Sequence, residues 1–286
     1  MDLADHCARR ARSATLQLLT LSLLLLQGCD DGVRGAFSVL TYNIAGLPEG
    51  VSSSNPEKNT PLISPHLDAF DLVLVQEDFF YHEQLIADVS LPYRSTPGRP
   101  QFGRLIGDGL NRLARLRFDE VIRQPWTRCN GTTGDGNDCL ASKGFSRART
   151  QLAANMTVDV YNLHMDAGGA SEDIAARQAQ VEQLLAEIAA QSAGHALIVA
   201  GDTNLHFNRT GDDQALRRLF EGAGLEDACG ALACGDQRID RVLWRSGPSL
   251  RIEPRRWWIP EDFVDAAQQP LSDHLPVAVE LSFRAE

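Results

Sequence analysis

Lysine is almost missing from this chain. Only Lys58 and Lys143 occur in 286 residues, and Lys plus Arg total 27 against 38 Asp plus Glu, a net charge of −11. Proteins that grip a long polyanion normally neutralise its phosphates with lysine and arginine. The acidic balance therefore disfavours a nucleic-acid partner, although charge segregated onto one face would still allow one. Apolar runs long enough to cross a bilayer are also lacking, since a membrane helix needs about 20 apolar residues. The candidate run, residues 16–26, has 11. No internal repeat or low-complexity segment is present, which excludes solenoids and arrays.

The short leucine-rich run follows Arg9, Arg10 and Arg12, so residues 1–28 read as a cleaved export signal. Leu26-Gln27-Gly28-Cys29 then resembles a bacterial lipobox, with Gln27 where a small residue is usual. That resemblance implies lipidation of Cys29 and a location in the bacterial cell envelope, anchored in a membrane on the periplasmic or extracellular face. A plain secretory signal with an incidental cysteine is the alternative. Setting residues 1–28 aside removes three basic and two acidic residues, leaving 24 against 36 and a net charge of −12. Residues 29–286 have the length of a single domain, with a short linker from 29 to about 36, and are expected to act as a monomer.

With Cys7 and Cys29 in the N-terminal segment, four cysteines remain: Cys129, Cys139, Cys229 and Cys234. Four cysteines allow three pairings. Each of Cys129–Cys139 and Cys229–Cys234 lies within one loop-like stretch, so local disulfides are the expectation. Zinc is the alternative, but nine and four intervening residues suit a structural zinc site poorly.

What the chain does have is a series of buried-strand patterns that end in polar residues. Residues 196–204 read ALIVAGDTN: a continuous apolar run, then Gly201, Asp202, Thr203 and Asn204. Such a run fits a strand covered on both faces, and alternation sets Asp202 and Asn204 on one side. FSVLTYN ends at Asn43, DLVLVQED at Glu77 and Asp78, and VDVYNLHMD at His164 and Asp166. Asp240 lies in RIDRVLW, and Asp273 with His274 precedes the closing strand, 276–283. A carboxylate at a buried strand end is expensive to hide without a cation. A hard, oxygen-seeking ion such as Mg²⁺ is its natural partner, which makes Glu77 the first metal ligand to consider and Asp78 a structural residue.

The series Asn43, Glu77, His164, Asp202-Thr203-Asn204, Asp240 and Ser272-Asp273-His274 resembles the endonuclease/exonuclease/phosphatase superfamily, which includes deoxyribonuclease I, abasic-site endonucleases, inositol phosphatases and neutral sphingomyelinases. The resemblance runs from residue 37 to 283. It implies an α/β fold, a four-layer α/β/β/α sandwich of two packed mixed sheets. It also implies a metal-dependent hydrolase of phosphate esters. The carried-over roles are Asn43, Glu77 and Asp273 at the metal (Mg²⁺, with Mn²⁺ or another divalent ion as substitutes) and His164, Asp202, Asn204, Asp240 and His274 in catalysis. Either Asp202 or the His274–Asp240 dyad would serve as the base. CLASKGF resembles the lysine-glycine segment of neutral sphingomyelinases and brings Lys143 toward the substrate phosphate; Asp166 could orient His164 or assist there.

Three functions compete. An exported, membrane-anchored phosphodiesterase of phospholipase C or sphingomyelinase type is favoured by the expected anchor, the acidic charge and the SKGF segment. An exported nuclease is the alternative, and a non-catalytic binding protein on the same scaffold the third. The remaining expectations are architectural. Residues 49–61, rich in Ser, Asn and Pro, read as a loop. Residues 171–193 read as a helix capped by Ser171, and 213–221 as another. Trp257 and Trp258 are adjacent in a strand-like stretch, so either one of them is exposed at a membrane interface, or one covers the sheet edge and the other packs on Pro254 or Pro260.

Overall fold

The computed structural model describes residues 33–52, 54–132, 138–235 and 238–286. The expected signal of residues 1–28, Cys29 and the start of the 29–36 linker lie outside the described residues. The apolar runs do form strands, and the polar residues that follow them end those strands. Along the chain these are β1 (Arg34–Asn43), β2 (Leu72–Gln76), β3 (Tyr93–Arg94), β4 (Asn111–Ala114), β5 (Ile122–Pro125) and β6 (Gly144–Ala153). The second half adds β7 (Met156–His164), β8 (Leu197–Asp202), β9 (Glu226–Asp227), β10 (Asp240–Arg245), β11 (Leu250–Trp258) and β12 (Val277–Ala285). The α-helices are α1 (Pro56–Ile63), α2 (His82–Ile86), α3 (Ser171–Gln191), α4 (Asp212–Ala223) and α5 (Ala228–Ala231).

The strands make two six-stranded sheets, in the orders β11-β12-β1-β2-β4-β3 and β5-β6-β7-β8-β10-β9. Each is mixed: β1 with β2 and β7 with β8 run parallel, the other pairs antiparallel. Alternation along a strand sends successive side chains to opposite faces, and here both faces are covered. Val39, Leu74, Val160, Ile198 and Val279 meet in one cluster between the sheets. Leu40, Val73 and Val75 pack outward with Ile63 and Leu85 of α1 and α2. On the far side Leu163, Leu197 and Val199 pack with Leu184 and Ile188 of α3 and Leu216 and Leu219 of α4. Three separate apolar seams require four layers, so the α/β/β/α sandwich stands.

Covering both faces gives each of the two tryptophans a wall to pack on. Trp257 packs against the intersheet cluster and Trp258 against the outer one, stacked on Phe70 at 6.2 Å. Both rings are half-buried. Part of 49–61 is helical as well: Pro56 sits in the first turn of α1, where its missing N–H is no loss. In α3, Ser171 is the first helical residue and Ala170 the N-cap; Asp173 accepts from the Ala170 N–H at 2.8 Å. Cys129 pairs with Cys139 and Cys229 with Cys234, as local disulfides. Among the described residues no helix is long and apolar enough to cross a membrane.

Candidate active site

Strand direction brings the site together. β1 and β2 finish side by side, with Asn43 opposite Gln76. β7 and β8 finish together in the other sheet, with His164 opposite Asp202. β10 runs back antiparallel, so its first residue, Asp240, lies opposite Asp202. The Ser272 hydroxyl donates to the Asn43 carbonyl at 2.7 Å and holds the turn carrying Asp273 and His274 against the end of β1. The sheets are pinned to each other just beneath. Gln76 Nε2 donates to Asn162 Oδ1 at 2.7 Å, and Asn162 Nδ2 donates to the Val75 carbonyl at 2.9 Å. This polar bridge was not visible in the sequence, where Gln76 and Asn162 look like ordinary strand residues.

Two strand ends are strained. Glu77 has φ +59° and Asn204 φ +49°, a left-handed conformation that non-glycine residues seldom adopt and that recurs at functional sites. Gly201, at φ +141°, makes the final turn of β8 possible: a Cβ there would lie 2.0 Å from the Leu163 carbonyl oxygen. A Cβ on Gly46 would lie 2.4 Å from the Glu77 carbonyl oxygen, so that backbone can approach Glu77 only as glycine. Asn204 is therefore set by its own backbone turn rather than by strand alternation, and its N–H donates to Asp202 Oδ1 at 3.0 Å.

Asp202 is the centre of the cluster. It is buried, and its Oδ2 lies 3.2 Å from Asn43 Nδ2, 3.4 Å from His164 Nε2 and 3.8 Å from His274 Nε2. Burial, then the charge of Asp240, push its carboxyl up to about 6 against the pull of His274, Lys143 and Asn43. Glu77 is also raised, by burial first and by Asp202 and Asp273. His274 Nδ1 lies 2.8 Å from Asp240 Oδ2. Burial would lower its pKa, but that hydrogen bond and the charges of Asp240, Asp202 and Asp273 outweigh it and lift the imidazole to about 10. His164 goes the other way. Burial and the charges of Lys143 and His274 hold it well below its ordinary value, so it is neutral.

Asn43 lies between two of the expected site carboxylates. Its Oδ1 accepts from the Ala45 N–H at 3.0 Å, and its Nδ2 donates to Glu77 Oε1 at 3.1 Å and to Asp202. Asp166 faces α3 instead. It accepts from Gln180 Nε2 at 2.7 Å and the Asn130 N–H at 2.6 Å, tying α3 to the first disulfide loop. It does not orient His164, whose Nδ1 has no hydrogen-bond partner among the described residues. Lys143 does reach the cluster: it pairs with Asp138 and its pKa is raised by Asp138, Glu77 and Asp202 against burial. Asp138 was not anticipated, and nothing in its local sequence marks it. Asp78 is structural, buried between His82 and Asn111.

A divalent cation fits this donor set. Glu77 and Asp202 are held above the usual carboxylate range by their surroundings, a condition that a cation relieves. Asp202, Asp240 and His274 also bring ligand atoms within 4.8 Å of one another. His274 is bonded to Asp240 at 2.8 Å, and Glu77 adds a further carboxylate, joined to Asp202 through the Asn43 amide between them.

The fold and the acidic, imidazole-bearing strand ends define a phosphoesterase-like centre. A model of the Endonuclease/Exonuclease/phosphatase family matches residues 40–274, from within β1 to His274, and the chain belongs to that family. It is 34% identical over 280 residues to a sphingomyelinase of Mycobacterium bovis, covering 90% of this chain and 54% of that protein. The chain thus spans about half the length of the curated relatives it matches. Its fold is similar to a beta toxin mutant from Staphylococcus aureus with bound magnesium ions, at TM-score 0.63 and 16% identity over 86% of this chain and 99% of that one. D. rerio TDP2 complexed with single strand DNA product gives TM-score 0.65 and 16% identity, over 86% and 98%.

Proposed function

We propose that the chain is a Mg²⁺-dependent phosphodiesterase that cleaves a membrane phospholipid, in the manner of a phospholipase C or sphingomyelinase. The observation that carries this reading is Asp202, buried and held between the imidazoles of His164 and His274 where the two sheets meet. Identity of 34% to proteins named sphingomyelinase supports the substrate class.

The residues divide the work by protonation state. Asp202, with its pKa lifted to about 6, is ionised at neutral pH and close enough to neutrality to take a proton from water efficiently. His274, lifted to about 10, is already protonated, so it adds positive charge rather than accepting a proton. Asp240 keeps it so. His164 and Asn204 supply hydrogen bonds to phosphoryl oxygens, where charge grows as water adds. The ammonium of Lys143 adds to the positive field from the Glu77 side. A divalent cation held at Glu77, Mg²⁺ or Mn²⁺ in its place, would act as a Lewis acid on a phosphoryl oxygen and stabilise the departing one. We further propose a monomer lipid-anchored through Cys29 in a bacterial envelope.

The test is hydrolysis of sphingomyelin, bis-p-nitrophenyl phosphate, p-nitrophenyl phosphate and plasmid DNA, each with and without chelator. Sphingomyelin should be cleaved to ceramide and phosphocholine, with loss of activity in chelator and in Asp202→Asn. Cleavage of DNA alone would make the chain a nuclease. No hydrolysis of any substrate would leave it a binding protein.

A further inference from the structure

The cavity beside the reaction centre has two kinds of wall. Glu77 and Lys143 lie at one side of a space of about 300 Å³ whose other walls include Ile106 and Leu140. At its mouth stand three large apolar side chains that the fold leaves in water: Val51 is 68%, Phe80 51% and Leu105 72% exposed. They come from three different connections, after β1, after β2 and before β4. Phe102, on the same connection as Leu105, is fully exposed. Isolated exposed apolar residues are normal, but several converging on one mouth mark a contact surface.

The loop that presents Leu105 is held out rather than left loose. The N–H groups of Leu105 and Ile106 donate to the Leu140 carbonyl at 2.8 and 3.4 Å. Leu140 follows Cys139 of the first disulfide, and Arg104 Nη1 donates to the Cys139 carbonyl at 2.5 Å. A clamp of this kind fixes an apolar side chain outward at an energetic disadvantage in water.

We infer that the rim formed by Val51, Phe80 and Leu105 docks on a lipid bilayer, with the cavity beneath taking the hydrocarbon segment next to the phosphate. The inference rests on the proposed phospholipid substrate. The occupant follows from what shares the cavity: Glu77, the proposed cation ligand, and Lys143 with its partner Asp138 line it together with apolar wall. A ligand matching both must carry a phosphodiester and a hydrocarbon chain within one cavity length, and a membrane phospholipid does. An apolar cavity beside Glu77 suits cleavage of the bond to the lipid-backbone oxygen. Displacement at phosphorus is in line, with water entering opposite the leaving oxygen. Water enters beside Asp202 and adds to phosphorus while Asp202 takes its proton. The bond from phosphorus to the lipid-backbone oxygen breaks on the Glu77 side, facing the apolar cavity. The hydrocarbon part then leaves as the alcohol once its oxygen gains a proton from solvent, and the phosphorylated head group leaves as the second product.

The test compares the full chain with a Val51→Ser/Phe80→Ser/Leu105→Ser variant. Both carry the same N-terminus, so any difference reports the rim. Hydrolysis of sphingomyelin in phosphatidylcholine vesicles should fall tenfold or more. Hydrolysis of bis-p-nitrophenyl phosphate should stay within twofold, which also shows that the variant folds. Phe102→Trp should gain emission that is quenched by vesicles of brominated phosphatidylcholine, and less so when combined with the three serines. An equal fall on both substrates, an unchanged vesicle rate or no added quenching would overturn the inference. So would a rim variant that only loses self-association in sedimentation. If the wild type hydrolyses neither diester, the functional reading has failed, and the quenching measurement alone decides the docking face.

Discussion

Replacing Asp202 by asparagine should make the metal-free protein more stable while abolishing its activity. Burial and Asp240 raise the Asp202 carboxyl from 3.8 to about 6. At pH 7.5 it is ionised in both the folded and the unfolded chain, so the raised value corresponds to roughly 3 kcal/mol against the folded state. Asparagine removes that charge. Its oxygen keeps the 3.0 Å bond from the Asn204 N–H, but its NH₂ meets the NH₂ of Asn43, a loss of about 1 kcal/mol. The net gain is about 2 kcal/mol, or a rise in Tm of roughly 4–8 °C for a domain of this size. The pH dependence has a definite sign. The folded state holds the proton more tightly, so the wild type has this stability in full below about 3.8 and loses it as pH rises through about 6. The advantage of the variant should therefore shrink from pH 7.5 to pH 4. Calorimetry in excess chelator reads both quantities, and turnover should fall by about 10² or more. A lower Tm for Asp202→Asn at pH 7.5, or a difference that stays constant with pH, would refute the electrostatic account of the site.

Three further substitutions address other parts of the cluster. Glu77→Gln keeps the shape of the cradle without its charge. It should weaken Mg²⁺ binding measured by calorimetric titration and slow turnover by roughly 10² to 10⁴; unchanged metal affinity would remove Glu77 from the ligand set. Asp240→Asn should bring the His274 titration, followed by NMR of the imidazole, down from about 10 toward its ordinary value, because the 2.8 Å partner loses its charge. A titration that stays put would assign the shift to Asp202 and Asp273 instead. Cys29→Ser should leave the precursor uncleaved or release the chain from membranes in a lipoprotein-processing host, and identical processing and fractionation would rule out lipidation.

The strand-end residues were legible because each follows an apolar run whose length and burial leave no doubt where the chain emerges. Glu77, His164 and Asp202 were readable in this way, while Asp240 opens its strand, and β7, β8 and β10 bring His164, Asp202 and Asp240 into register. The disulfides were legible because their partners are near in sequence. Interactions between distant segments were not. The pairing of Asp138 with Lys143 depends on a short 3₁₀ turn, and the Gln76–Asn162 bridge on how one sheet sits over the other. Asn43 was legible as a strand end, but which way its amide turns depends on the Ala45 N–H. The tryptophans stood between two readings because a strand covered on both sides has two interiors.

The direction of β1 carries a consequence for how such a catalyst is held. The strand enters the fold at Arg34 and delivers Asn43 to the reaction centre. At about 3.3 Å per residue, its 10 residues span roughly 30 Å. A tether joined ahead of Arg34 would therefore meet β1 at the end remote from Asn43.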